Sequence, residues 1–215
     1  TKIFAKKLGL IYLDTGAMYR AVTWFIHEKN INLKDEDEVL KALKNINLDI
    51  KLSADGIQQV ILNEENITNK IRSPEITSRV SKVSAIGLIR EKLTKQQKEL
   101  GLEGGLVAEG RDIGTKVFPD ADLKIFLTAS TKERARRRAN DMKNQGFDVP
   151  NLIDLENQIK ERDYIDSNRK ISPLIKAKDA KELITDGMTI EEVIDALIYL
   201  FQEEIPEELW PTKSF

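Results

Sequence analysis

The chain has 215 residues, of which 40% are hydrophobic and 33% charged, enough to bury a sizeable core and outside the composition of disordered chains. Lys plus Arg (34) against Asp plus Glu (36) gives a formal net charge of -2, so no whole-molecule field draws it to nucleic acid or anionic lipid, and any basic site must be local. With no Cys and a single His, His27, it has no disulfide, thiolate zinc site, Cys nucleophile or His-based metal cluster.

In chain order, Lys2 to Leu8 reads as an amphipathic helix with no capping residue before it, which implies a missing upstream segment. Leu10 to Leu13 is a short apolar run closed by Asp14-Thr15-Gly16, the pattern of a buried strand ending in a polar turn. Met18, Ala21, Val22, Phe25 and Ile26 then recur at helical spacing over Gly16 to Glu28, and Asp35 to Leu43 supports a further helix. Asn47 to Leu52 and Gln58 to Leu62 are strand-like and joined by Ser53-Ala54-Asp55-Gly56, a hairpin signal. Ser73-Pro74 restarts helical text that continues to about Leu100.

Leu106 to Ala108 is a second apolar run, ended by Glu109-Gly110-Arg111-Asp112, and Leu123 to Leu127 is a third. Ser130 with Glu133 forms a capping box for the next helix. After Asn151, a helix with Leu152, Leu155 and Ile159 on one face runs toward Arg169; Lys181 to Thr185 is a last strand, and Thr189 with Glu192 caps a last helix to about Phe201. Strands alternating with helices imply a parallel sheet. His27, near a helix end, reads as a capping group, and Trp210 as a residue able to dock an otherwise loose tail.

Four constellations could carry chemistry. Thr15 and Arg20 lie at the carboxyl end of the first strand, where open α/β sheets bind ligands; an N-cap and a surface Arg is the plain alternative. Arg111 and Asp112 project to the same sheet edge, or form an ordinary polar turn. Arg162, Asp166 and Arg169 are spaced i, i+4, i+7, which stacks two guanidiniums and a carboxylate on one helix stripe, suiting a phosphate; a solvated ion-pair ladder fits equally. Lys132 to Arg138 holds five cations in seven residues, with Arg134, Arg137 and Arg138 on one face. This is a clamp on a polyphosphate or a solvated face; a nucleic-acid surface is disfavoured by the overall charge and by missing aromatics. Ser81 and Arg90 carry no motif of their own.

Taken together, Leu13 to Thr23, Ala108 to Ser130, Glu133 to Arg138 and Glu161 to Leu174 closely resemble the bacterial cytidylate kinases, nucleoside monophosphate kinases, in order and spacing over essentially the whole chain. The resemblance implies an α/β fold: a P-loop NTPase-type parallel sheet flanked by helices, with a small antiparallel monophosphate-binding insert and a short lid. Residues 1–34 and 101–215 would form the core, with the lid at about 132–150. Residues 35–100 would form the monophosphate-binding region, with its β insert at about 46–71.

The implied activity is transfer of the ATP γ-phosphoryl group to CMP or dCMP with Mg²⁺. Carried over by position, Ser81, Arg90 and Asp112 match the cytosine-reading residues, and Asp166 with Arg162 the ribose contact. Arg20, Arg111 and Arg169 match the arginines at the acceptor phosphate, and Thr15 the hydroxyl beside it. Arg134 and Arg137 match lid arginines, with Arg137 the first choice for steadying the transferring group.

The family's G-x-x-x-x-G-K-[ST] loop is not in this sequence, so the first strand and that loop are expected upstream of Thr1, with fusion behind a pantoate-activating ligase as a further possibility. A degenerate domain that binds CMP without catalysis is the alternative. The expected partners are small molecules, without nucleic acid or membrane, for a cytoplasmic monomer. No metal ligand is assigned within the chain.

Overall fold

The computed structural model describes residues 1–52 and 58–211; the Ser53 to Gly56 turn lies outside them. Helix α1 (Lys2–Leu8) stops at Gly9, whose φ of 69° is in the left-handed region that glycine adopts without strain. Strand β1 (Ile11–Asp14) feeds directly into α2 (Thr15–Glu28), because the Asp14 carboxylate caps the helix by accepting from the Ala17 N–H at 3.0 Å. Helix α3 (Glu36–Lys44) leads to an antiparallel sheet of β2 (Leu48–Leu52), β3 (Gln58–Leu62) and β4 (Glu65–Asn66). Helices α4 (Pro74–Ser84) and α5 (Gly87–Leu100) return the chain to β5 (Leu106–Glu109). Then follow β6 (Ile125–Thr128), α6 (Thr131–Asn144), α7 (Leu152–Asn168), β7 (Lys181–Ile184) and α8 (Ile190–Glu204).

Two parallel pairs build the central layer. β1 pairs with β5 in the register Ile11↔Leu106 to Asp14↔Glu109, and β6 pairs with β7. Among the described residues β5 and β6 are not bonded to each other. The space beside them belongs to a cleft of about 1530 Å³, whose apolar lining includes Phe4, Leu8, Val107, Ile125 and Phe201. One core cluster joins α2 to α3, the antiparallel sheet, α4 and α5 through Met18, Val22, Val39, Val60 and Leu93; a second joins α1 to α8 through Phe4, Leu8, Leu197 and Phe201. Trp210 docks on Phe201 and donates its indole N–H to Ile205 O at 2.8 Å.

Four expectations are corrected. The Ser73 to Leu100 text is broken at Ala85 and Ile86, with Ile86 extended at φ -77°, ψ 122°; Arg90 takes the freed Ser84 carbonyl with a 3.0 Å bond. The Ser130 cap accepts from the Glu133 N–H, but the Glu133 carboxylate turns to Arg136 and Arg137 instead of completing the box. Charge-assisted bonds to guanidinium outcompete a neutral N–H, and Asp186 already holds the Ser130 N–H at 2.9 Å. His27 pairs across helices with Glu75 at 3.2 Å rather than capping α2. On α7 Leu155 is buried, whereas Leu152 is 54% exposed.

Candidate active site

The carboxyl ends of β1 and β5 lie side by side, so the residues following them converge. Thr15 donates its hydroxyl to Glu109 O at 2.7 Å, an approach that needs Gly110, since a Cβ there would collide with Thr15 Oγ1. Beyond it, Asp112 is buried and accepts from Arg90 through Oδ2, with both side chains 5% exposed or less. Its other oxygen, Oδ1, lies 3.8 Å from Arg169 and accepts no hydrogen bond among the described residues. The Arg90 guanidinium carbon stands 5.2 Å from the Tyr19 ring centroid, a cation–π contact. The Tyr19 hydroxyl is buried near Thr94, and burial raises its pKa. Ser81, buried on α4, lines the same cleft.

Asp166, buried on α7, gathers three arginines: Arg111 Nε donates at 3.1 Å, Arg169 Nη1 lies at 3.6 Å and Arg162 Nε at 3.8 Å. Arg169 is not on a continuous helix. It is the C-cap of α7 at ψ 143°, where its Nε donates to Ser172 O at 2.6 Å while Leu174 N–H takes Asp166 O. The spacing therefore foretold the company of Asp166, and a turn rather than a helix stripe delivers it. Arg20, from α2, reaches Asp14 Oδ2 at 3.4 Å.

The cluster carries a surplus of positive charge. Among the described residues six guanidiniums (Arg20, Arg90, Arg111, Arg138, Arg162 and Arg169) face four carboxylates, Asp14, Asp112, Asp141 and Asp166. Burial, then the neighbouring Arg111, Arg20 and Arg138, brings the Arg162 pKa down to about 10. Burial followed by Arg20 lowers that of Arg138, and burial followed by Arg90 lowers that of Arg169. Nε of Arg90, Arg138 and Arg162 and Nη2 of Arg169 have no hydrogen-bond acceptor among the described residues. Unpaired donors in a cation cluster are poised for an anion rich in acceptor oxygens.

Within the basic helix, Arg134 is bidentate to Asp163 at 3.0 and 2.6 Å, and Arg137 is bound to Glu133 and to Thr185 Oγ1 and O. It is Arg138 that joins Arg20 and Arg162 in the cation cluster. Sequence reading put Arg134, Arg137 and Arg138 on one face and named Arg137 first. It also missed Asp14, whose position before the helix was the available signal.

A parallel α/β core whose strand ends carry a cation cluster beside an antiparallel insert has the architecture of the P-loop nucleotide kinases. A family model described as cytidylate kinase matches residues 1–203. The chain is 66% identical over 214 residues to the bifunctional pantoate ligase/cytidylate kinase of Prochlorococcus marinus strain SARG, covering 100% of this chain and 41% of that protein. The protein of the same description from P. marinus strain MIT 9313 is 58% identical, at 99% and 42% coverage, and that of Synechococcus sp. strain CC9605 is 53% identical, at 100% and 45%. The chain belongs to the cytidylate kinase family, a family of phosphotransferases. It spans about two fifths of the length of these curated relatives, and no helix among the described residues is long and apolar enough to cross a membrane.

Proposed function

We propose that this chain supplies the phosphoryl-transfer part of a CMP kinase, which moves the γ-phosphoryl group of ATP to CMP or dCMP and releases ADP with CDP or dCDP. The observation that carries the reading is the surplus of guanidiniums gathered around a buried carboxylate whose Oδ1 accepts no hydrogen bond among the described residues. A nucleoside monophosphate satisfies both at once. Its phosphate lies against Arg20, Arg111 and Arg169 beside Thr15, and its ribose against Asp166 and Arg162. Its base lies against Ser81, Arg90 and Asp112. The cytosine amino group donates to Asp112 Oδ1, where uracil would present a carbonyl to a carboxylate, a mismatch that leaves buried polar groups unpaired.

An oxygen of the bound monophosphate attacks the γ-phosphorus in line as the bond to the ADP oxygen breaks; the attacking group is already ionised, so no general base is needed. Arg138 neutralises charge on the transferring group, with Arg134 and Arg137 of the same helix on the donor side of a lid at about 132–150. Residues 35–100 serve as the monophosphate-binding region, on a core of 1–34 and 101–215.

The family implies Mg²⁺ with ATP. Magnesium at such sites is held by one or two carboxylates, water and the phosphates themselves. Asp14 does not fit that donor set, because its Oδ1 caps α2 and its Oδ2 lies beside Arg20 and Arg72. Glu109, at the end of β5, is the carboxylate that would hold the ion, which when bound neutralises phosphate charge. Tyr12, donating its hydroxyl to Glu109 Oε1 at 2.6 Å, fixes that carboxylate. The apolar gap between β5 and β6 supports the companion reading that a further parallel strand fills it and leads through a phosphate-binding loop into α1. The relatives' names suggest a pantoate ligase unit in the same polypeptide.

The test is ADP formation by the full-length protein with ATP and Mg²⁺ and, separately, CMP, dCMP, UMP or AMP as acceptor. The expected result is turnover with CMP or dCMP that exceeds UMP on the order of a hundredfold or more in kcat/KM. No acceptor-dependent ADP, or equal rates with CMP and UMP, overturns the reading.

A further inference from the structure

We propose that Gln58, on the first position of β3, is a positioning residue that ties the antiparallel insert to the acceptor-phosphate clamp; the proposal rests on the CMP kinase reading. Gln58 is 7% exposed, and its side-chain amide spans both backbone groups of Asp14. Its Oε1 accepts from the Asp14 N–H at 2.8 Å and its Nε2 donates to Asp14 O at 3.3 Å. On its other side β1 is paired with β5, where Asp14 faces Glu109. The Gln58 amide therefore acts as one rung of a missing strand on the free edge of β1, supplied by a different sheet.

What it fixes is the residue with most obligations in this corner. Asp14 Oδ1 caps α2 through the Ala17 N–H, and Oδ2 is the carboxylate oxygen beside Arg20, at 3.4 Å. A turn of the Asp14 backbone would carry the Asp14 carboxylate away and leave Arg20 among repelling guanidiniums with nothing to orient it. Just after the insert, Arg72 Nη2 lies 3.8 Å from Asp14 Oδ2, but the Arg72 side chain is 54% exposed, where solvent and salt leave an ion pair little strength. The buried amide is the persistent link. Displacement of the insert as a nucleotide enters is thus transmitted to Arg20, and the insert and the phosphate clamp respond together.

The experiment uses the full-length protein and compares CMP with cytidine by calorimetry, alongside thermal unfolding. Gln58→Met removes both bonds at similar volume, Gln58→Glu keeps an acceptor for the Asp14 N–H but loses the donor, and Gln59→Ala perturbs the neighbouring strand position. Gln58→Met should weaken CMP by about tenfold or more while leaving cytidine within about twofold, as loss of a supporting hydrogen bond behind a binding group does. Gln58→Glu should fall between, and Gln59→Ala should change neither. Equal weakening of both ligands, no weakening of either, or failure of both Gln58 variants to fold would make Gln58 a structural tie and overturn the proposal. Wild-type protein binding cytidine as tightly as CMP would instead strike at the functional reading beneath it.

Discussion

Removing Asp112 should expose how much of the site is held by charge. In Asp112→Ala, Arg90 loses its buried carboxylate partner and Arg169 loses a neighbour at 3.8 Å, with all three side chains 5% exposed or less. Breaking one side of a buried ion pair costs about 3–5 kcal/mol because the remaining charge stays out of water. That is a large part of the roughly 5–15 kcal/mol that holds a domain folded. At about 2–4 °C per kcal/mol for a domain of this size, the kinase unit should melt about 6–20 °C earlier. Arg90→Met should cost a similar amount, leaving Asp112 unpaired, but the double variant should cost less than the sum, since neither orphan remains. Urea unfolding of the four proteins gives the coupling energy directly, and CMP and UMP titrations on the same samples report base choice, which Asp112→Ala should erode. Additive single and double costs would refute the pairing argument, and an unchanged CMP to UMP ratio would remove Asp112 from base reading.

Arg169→Lys keeps the charge but loses the planar fork, so CMP affinity should fall by about tenfold or more while cytidine affinity is nearly unchanged, as calorimetry would reveal. Because burial and its arginine neighbours depress Arg162 to about 10, its charged form costs stability at every pH below that value, and the cost fades as pH rises from about 10 toward 12.5. An anion should relieve that cost at neutral pH: CMP at about one hundred times its Kd should add about 2.7 kcal/mol and raise the melting temperature by ~5–10 °C in calorimetric scans. Glu133, held down to about 2 first by its bond from Arg136, contributes stability that is full above pH 4.5 and lost as pH falls toward 2. Glu133→Gln should flatten the acid limb of unfolding midpoints in that window.

Much of the fold was legible because buried strands are short apolar runs ended by polar turns, as at Leu10 to Leu13 and Leu106 to Ala108, and both became register-paired parallel strands. The break between α4 and α5 had a faint signal in Gly87, overridden by good helical text on both sides. In the site, local spacing found the partners of Asp166, which lie within one helix and its following turn. It did not foresee the partner of Arg137, which is Thr185, 48 residues away on the end of β7. Gln58 was equally hidden: a glutamine opening a strand gives no hint that it will span the backbone of Asp14, 44 residues earlier. Periodicity reports which face is buried, whereas long-range polar pairing is decided by how sheets and helices meet.

If the cation surplus of Arg20, Arg111, Arg138, Arg162 and Arg169 exists to receive a monophosphate, the phosphate itself must carry most of the affinity. Calorimetric titration of the full-length protein with CMP and with cytidine, at two salt concentrations, isolates that contribution. CMP should bind on the order of a hundredfold or more tighter than cytidine, as several charge-assisted bonds to one phosphate require, and the gap should narrow at higher salt because the Arg20, Arg111 and Arg162 side chains are 23%, 41% and 31% exposed. Equal affinity for the two ligands would contradict a phosphate-receiving role for these arginines.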